Sequence, residues 1–515
     1  NISLPTGHHF PPPYVPLYIT LYTTTHHLII CHTITVLSSA SSLLQKECSF
    51  AQLLIMLYFR NDNKEKGQYV MNVYTKKELT LLETPFDDIR RKMDLLLLLG
   101  QLLMENGANT NQILRDMLRA AAYMGINENL VHVHISYTTI MLNISDDSHA
   151  YTVFRKTLHH GVNMTTLSVL SKLTWKALEQ SFTLDEFEKR LRTIAETPPR
   201  YPHGLLNIAA GFACGAFALL FGGTILSAWV TTLCAIIGFF VRTLCNRWEV
   251  NIYISIMAAA FAATTSAYLL HTLFASDAMI YAMISCTLFM IPGVPLINAV
   301  DDMINNHIMA GMTRAMNTFL IVGSMTVGIT MALYFDRLSN FTSLSILPGQ
   351  LYPLQLAASV VGAIGFSIIF NIPYRLLPLV GIGGLIAVAI RNTLLVYLGF
   401  SLPGATFLAT AIISICALKA SRYFRTAAPV LSIPSVIPLI PGVLLYRFLF
   451  GIVTINTLDT ESLLHALRSG VTGITTIICI AIGVSIPHIL ASRYLDRAKH
   501  QRLLQLLQDR GAGHP

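Results

Sequence analysis

Residues 291–302 read IPGVPLINAVDD, and residues 440–451 read IPGVLLYRFLFG. The offset, 440 minus 291, is 149 residues, and it recurs without gaps at Arg242 and Arg391, Phe217 and Phe366, Phe221 and Phe370, and Ala209 and Ala358. One unit is therefore duplicated along the chain. A Pro-Gly pair inside an apolar helix removes a backbone donor and loosens the turn. Matched breaks in two hydrophobic halves are the pattern of a transporter built from repeats.

Of 515 residues, 53% are hydrophobic and 12% charged, about half the roughly 25% charged residues of a soluble domain. The charges are segregated: 71–203 is rich in Asp, Glu, Lys and Arg, whereas 204–335 and 354–491 are long apolar stretches. Ten candidate spans lie near 204–221, 224–242, 252–275, 278–299, 313–335, 354–371, 375–391, 396–418, 427–450 and 470–491. Each approaches the roughly 20 residues needed to cross a hydrocarbon layer of about 30 Å. Small-residue runs such as AAAFAATTSA at 258–267 let helices pack closely. The expected fold is a polytopic α-helical membrane protein of two five-helix repeats, 204–335 and 354–491. A loop over 336–353 joins them, and a small α+β cytoplasmic domain over 71–203 precedes them.

Lys and Arg in short loops mark the cytoplasmic side. With 71–203 inside, Arg242, Arg247, Arg314, Arg375, Lys419, Arg422 and Arg425 fall inside, as do Arg493, Arg497, Lys499 and Arg502 of a basic tail over 492–515. Arg337, Arg391, Arg447 and Arg468 fall outside. Both termini are then cytoplasmic. Five spans per half is an odd number, so the copies enter from opposite sides as an inverted pair, with equivalent sites near the midplane. The net charge of +8 suits basic loops and tail; no dense Lys/Arg cluster interleaved with aromatics points to nucleic acid.

Residues 1–70 differ in character from the rest of the chain. They hold a PPPYVP segment, the Thr/His-rich ITLYTTTHHLIICHTITVL at 19–37 and a second apolar stretch at 51–59, without the basic n-region and cleavage site of a signal peptide. Met71 reads as a natural start, with 1–70 an atypical extension of upstream sequence carried into the reading frame; the alternative is two further membrane segments. The eight cysteines include no Cys-x-x-Cys pair, and five lie in expected spans, so they read as packing residues.

In the soluble domain, FDDIRRKMDLLLLLGQLLMENG reads as a helix closed by Gly107, and NTNQILRDMLRAAAYMG as a second ending at Gly125. LVHVHISYTTIMLNI alternates as a strand or hairpin with SDDSH at 145–149 as its turn, TLDEFEKRLRTIAE at 183–196 is a further helix, and TPPRYPHG is a hinge.

Five stretches carry a resemblance: GQLLMENGANTNQI (100–113), HISYTTIML (134–142), HHGVNMTTLSVLSKLTW (159–175), YPHGLLNIAAGFACGAFALLFGG (201–223) and IPGVPLINAVDDMINNHIMAGMTRAMN (291–317). Together they resemble the threonine/serine exporter family, whose bacterial members include single-chain exporters and two-component dicarboxylate exporters. The likeness is strong over 90–335. The second half resembles the smaller partner of the two-component systems, mainly through SIPSVIPLIPGVLLYR at 432–447. The resemblance implies a multi-pass exporter of amino acids or succinate-like dicarboxylates in the bacterial inner membrane, driven by the proton-motive force. Its implied partners are the solute, protons and the lipid bilayer, with no cofactor; oligomeric state, a homo-oligomer included, stays open.

Pro292, Gly293 and Pro295 in the first half and Pro441 and Gly442 in the second are the expected substrate pathway, since an unwound turn frees backbone groups for a polar solute. The competing reading is a packing kink. Asn298, Asp301 and Asp302 share one face of a resumed helix by their i, i+3 and i+4 spacing. Asp301 and Asp302, with His307 and Arg314 beyond, are candidates for proton coupling or gating, Arg314 being the natural partner of the acids or of a solute carboxylate. The alternative is a capped loop. The equivalents of Asn298, Asp301 and Asp302 are Arg447, Phe450 and Gly451, so the acidic cluster was not duplicated. Arg447 joins the pathway as a cation for an anionic or zwitterionic solute.

His132, His134, Ser136, Asp146, Asp147, His149, His159 and His160 lack the spacing of a hydrolase or metal site, so no catalytic or metal-binding residue is assigned. GANT, HISYT and HGVN read instead as folding or docking elements. The leading function is alternating-access export. A membrane-anchored enzyme with a catalytic soluble domain, or a passive channel or scaffold, are the alternatives.

Overall fold

Five consecutive leucines, Leu95–Leu99, leave a helix no wholly polar face, and the first helix meets that demand by burial between a second helix and a sheet. In the computed structural model, residues 85–145, 150–157, 159–180, 182–274, 279–335, 353–424, 426–456 and 458–511 are described. The expectations for 1–70, for the connecting loop over 336–352 and for Asp146, Asp147 and His149 fall outside them.

Helix α1 (Pro85–Glu105) ends two residues before Gly107, whose φ of 90° turns the chain into α2 (Thr110–Tyr123). Strands β1 (Val131–Ile135), β2 (Thr139–Ser145) and β3 (Ala150–Lys156) form an antiparallel meander in the order β1-β2-β3. Helices α3 (Met164–Glu179) and α4 (Leu184–Glu196) complete the domain. Thr183 caps α4 by accepting from the Glu186 amide at 3.2 Å, and Arg91 ties α1 to Asp185 and Glu188 of that helix. Gly100 allows the closest approach: a Cβ there would lie 2.7 Å from Met117 Sδ of α2 and 3.0 Å from Ile140 Cδ1 of β2. Leu96, Leu99, Ile113, Ile140, Leu170 and Phe187 are fully buried between these layers.

The apolar half follows in two copies. The first comprises α5 (His203–Leu220), α6 (Ile225–Arg247), α7 (Ile252–Phe274), α8 (Met279–Ser285), α9 (Gly293–Ile304) and α10 (Ile308–Phe335). The second comprises α11 (Pro353–Ile369), α12 (Leu377–Val396), α13 (Leu402–Tyr423), α14 (Ala428–Val436), α15 (Gly442–Val453) and α16 (Thr460–Gly511). Within each copy the first helix packs on the second, the second on the third and the third on the last. Between copies the contacts are exchanged: α5 packs on α11, α9 on α16 and α10 on α15. Such reciprocity is what a local twofold relation produces.

Among the described residues, seven helices are long and apolar enough to cross a membrane, and nine if each of two bent pairs counts as one span. The bent pairs are Tyr281–Met290 with Gly293–Ile304, at 60°, and Ala428–Leu439 with Gly442–Val453, at 57°. The Pro353–Ile369 helix is apolar but only 17 residues long. The chain is a polytopic helical membrane protein. Helix α16 continues to Gly511, well beyond the apolar stretch that begins it.

Small residues set the helix spacing. A Cβ on Gly215 of α5 would lie 2.7 Å from the Ala228 carbonyl of α6, and one on Gly365 of α11 would lie 2.8 Å from Ala213 Cβ and 2.9 Å from the Ala209 carbonyl of α5. These neighbours are backbone or Cβ atoms and cannot swing away. Gly365→Leu, at the contact between the copies, is expected to destabilise the protein by about 1–3 kcal/mol, read as a lower thermal midpoint in detergent. An unchanged midpoint would show that this seam is loosely packed.

Candidate functional site

Each break is built from one turn. Pro292 (φ −78°, ψ 66°) and Pro441 (φ −82°, ψ 56°) are both central residues of inverse γ-turns. The amide of Gly293 donates to the Ile291 carbonyl at 2.8 Å, and that of Gly442 to the Ile440 carbonyl at 2.9 Å. A 3-10 turn precedes each, with Ile291 N donating to Leu288 O at 3.1 Å and Ile440 N to Ile437 O at 3.0 Å. Pro295 departs from expectation. It lies in the first turn of α9, where a helix amide has no partner to lose, so it does not unwind the chain.

The two breaks face one another. A Cβ on Gly293 would lie 2.6 Å from Ile440 Cδ1 and 2.8 Å from Ile437 Cδ1; one on Gly442 would collide with Ile291 Cδ1 and reach Leu288 Cδ2 at 3.4 Å. Phe217 and Phe366 meet edge to face with centroids 5.7 Å apart. The cavity they line has eight residues, and these are four pairs related by 149: Phe217/Phe366, Leu288/Ile437, Ile291/Ile440 and Gly293/Gly442. It holds about 10 Å³, at the lower edge of what one water needs. This centre is apolar and shut. Arg447, one turn and a half into α15, is only partly buried.

The acids lie elsewhere, against the α+β domain. Loop 107–111, the turn after α1 together with the first residues of α2, is met along its length by α9, α10 and the junction between them. Asn298 Nδ2 donates to the Gly107 carbonyl at 2.9 Å, and Arg314 Nη2 to the Ala108 carbonyl at 3.1 Å. Asn109 Nδ2 donates to Asp301 Oδ2 at 2.7 Å while its Oδ1 caps α2 through the Gln112 amide at 2.8 Å. The Thr110 amide donates to Asp302 Oδ1 at 2.8 Å. A helix N-terminus favours an anion, and the membrane half supplies it. His307 Nε2 and Asn111 Oδ1 are 2.9 Å apart. Asp302 and Arg314, 0% and 4% exposed, form an ion pair at 2.9 Å between Oδ2 and Nε. Asp301 also accepts from Ser485 of α16.

Two further contacts seat the domain. Asn317 Nδ2 donates to Tyr137 Oη at 2.9 Å, and Tyr253 Oη donates to Asn317 Oδ1 at 2.8 Å. On the second copy, Asn371 adopts φ 56°, 149 residues after Gly222 with φ 95°, so the duplicated turn keeps its left-handed residue but gains an amide side chain. That amide donates to Asn163 Oδ1 at 2.8 Å and accepts from the Arg200 amide at 3.0 Å. Met164 N donates to Phe370 O at 2.9 Å, and Tyr201 Oη to Ile372 O at 2.6 Å. The two docking loops are joined, Asn163 N donating to Asn106 O at 3.0 Å.

Thus the structure brings Asn298, Asp301, Asp302, His307 and Arg314 together around loop 107–111, and brings Gly293 and Gly442 together around the cavity. Sequence reasoning read GANT and HISYT, which hold Asn109, Thr110 and Tyr137, as folding or docking elements, and assigned no role to Ser485, Asn371 or Asn317. The readable signal was the unduplicated acidic cluster, whose partner, the α+β domain, is itself unduplicated. His132 and His134 are exposed on β1, and among the described residues no three His, Cys, Asp or Glu are placed to hold a metal.

Asn109→Ala removes a bond to a carboxylate, so amide exchange over 106–111 is expected to quicken about tenfold or more; hydrogen exchange by mass spectrometry reads this, with Asn143→Ala on the sheet as control. His160 stacks on Tyr137 with centroids 4.0 Å apart. The desolvation of that face, then the charge of Arg314 and that of His159, lower its pKa to about 4. Its value is below that of the unfolded chain, so the unfolded state binds the extra proton, and stability falls as pH drops from about 6.5 toward 4. His160→Gln should flatten the dependence of the melting midpoint on pH across that window; an unchanged slope would place the titration elsewhere.

Comparison with known proteins agrees with this architecture. The family described as "Putative threonine/serine exporter" matches residues 94–336, and that described as "Threonine/Serine exporter, ThrE" matches 355–490. A "Probable succinate transporter subunit YjjP" of Klebsiella aerogenes is 30% identical over 232 residues, 45% of this chain and 88% of the relative. Its Escherichia coli K12 counterpart is 30% identical over 235 residues, 45% of this chain and 90% of the relative. A "Probable threonine/serine exporter" of Mycobacterium tuberculosis is 23% identical over 394 residues, 72% of each chain. No solved structure matches. The two family models divide the chain where the copies divide, and the chain belongs to the threonine/serine exporter family.

Proposed function

We propose that the protein is a secondary exporter of small hydrophilic carboxylate-bearing solutes, threonine and serine or succinate-like dicarboxylates, working by alternating access. The observation that carries this is the reciprocal packing of Gly293 on Ile437 and Ile440 and of Gly442 on Leu288 and Ile291. Equivalent breaks closed on each other form a centre that opens to either side as the repeats rock. With each bent pair and the shorter Pro353–Ile369 helix counted as spans, each copy crosses five times and the copies are read as inverted, and the basic loops support both termini on the cytoplasmic side of the inner membrane. The relatives' names support export of this solute class.

Proton-motive force is the proposed drive, with Asp301 and Asp302 as carriers. In the docked arrangement both carboxylates accept from the domain, so a proton reaches them only when loop 107–111 lifts. Export would then couple lifting of the domain to protonation.

Proteoliposomes loaded with labelled threonine, serine or succinate and given a pH gradient should show saturable efflux that the gradient accelerates. Asp301→Asn with Asp302→Asn should lose the acceleration. Equal, gradient-independent leakage with and without the protein would overturn the exporter reading; a retained gradient response in the double variant would overturn the carrier role alone.

A further inference from the structure

The cavity between the breaks has only apolar side chains on its walls, yet a carboxylate cannot be desolvated without a cationic partner. Among the described residues, Arg314 is the one Arg or Lys with almost no exposed surface. It sits on α10, which is held against α9 by Gly311, where a Cβ would lie 2.6 Å from the Ala299 carbonyl. Helix α9 is the one that starts at the first break, so Arg314 belongs to the moving parts of the proposed centre.

Its surroundings have the make-up of a carboxylate receptor. The guanidinium meets one carboxylate, Asp302, whose other oxygen takes the Thr110 amide at the N-terminus of α2. Tyr137 flanks it with its ring centroid 5.7 Å from the guanidinium carbon. Asn109 holds a second carboxylate beside the first. Resting on the exporter reading above, we propose that Arg314 is the carboxylate-recognition residue for the exported solute. Asp302 occupies the solute's place while the cytoplasmic domain is docked.

The exchange keeps the buried charge balanced when Asp302, which stays on α9, takes up a proton as the solute carboxylate enters, so the swap is open to a carboxylate and closed to a neutral or cationic solute. Lifting of the domain withdraws the Thr110 amide from Asp302 and the Ala108 carbonyl from Arg314, and the planar donor fork is then free to take a second carboxylate in place of Asp302. Asp302 is thus an internal competitor. Its removal should raise apparent affinity, where a purely structural ion pair would lose it.

The purified full chain with Asp302→Ala is melted in detergent with formate, succinate or threonine, against chloride at matched ionic strength. The expected result is a lower midpoint in chloride and a carboxylate-dependent rise of a few degrees that wild type lacks. Adding Arg314→Gln should abolish the rise. In proteoliposomes, Asp302→Asn should lower the half-saturating solute concentration roughly tenfold, as loss of a self-competitor requires. If Asp302→Ala does not fold, Asp302→Asn is used for the melts as well. A rise equal in chloride, a rise that survives Arg314→Gln, or no rise at all overturns the proposal. The melts involve no transport, so failure of the exporter reading and failure of this one are separable.

Discussion

A proline in an apolar helix strands backbone groups that lipid cannot satisfy, and the membrane half of this protein is arranged around answering that twice. Each copy answers with the same pair of turns, a 3-10 turn and then an inverse γ-turn that returns the Gly293 or Gly442 amide to the chain. The turn bends the helix by about 60° and exposes a glycine, and the isoleucines of the other copy cover it. At each glycine the nearest side-chain atoms come from the other copy. The exchange of α9 and α10 contacts with α16 and α15 follows from this mutual covering.

The α+β domain adds a second layer of dependence. It touches the first copy through loop 107–111 and Tyr137, and the second through Asn163, Met164 and the hinge at 200–201. Since Asn106 and Asn163 are bonded to each other, the domain spans both copies as one piece. Motion of one copy against the other must either break one of these contacts or carry the domain along. The α2 N-terminus, matched to Asp302 through a backbone amide, is the contact that a change of charge would weaken first.

Much of this architecture was readable in the residues. Alternation over 130–144 marked a strand or hairpin, glycines at 107 and 125 marked helix ends, and a constant offset of 149 aligned the copies down to their breaks. The site was only half readable. Local spacing put Asn298, Asp301 and Asp302 on one face but could not say what faced them, because their partners lie about 190 residues away in sequence. Ser485 and Asn371 are ordinary residues by pattern, and only tertiary placement gives them work. Pro295 misled because its effect depends on position within the helix: in the first turn a missing amide costs nothing. Asn371 in place of Gly222 was the subtlest clue, a left-handed position where asparagine is tolerated and its amide is useful.

The link from Asn163 to Asn371 has a consequence for biosynthesis. The two residues are 208 apart in the chain, and the domain is made first. At synthesis rates of about 5–20 residues per second, roughly 10–40 s pass between them. For that interval Asn163 has no partner from the second copy, although loop 107–111 can already meet residues 298–314 of the first. The nascent chain therefore passes through a half-docked stage that the turn at Asn371 ends, while Asp301 waits for Ser485 until α16 follows.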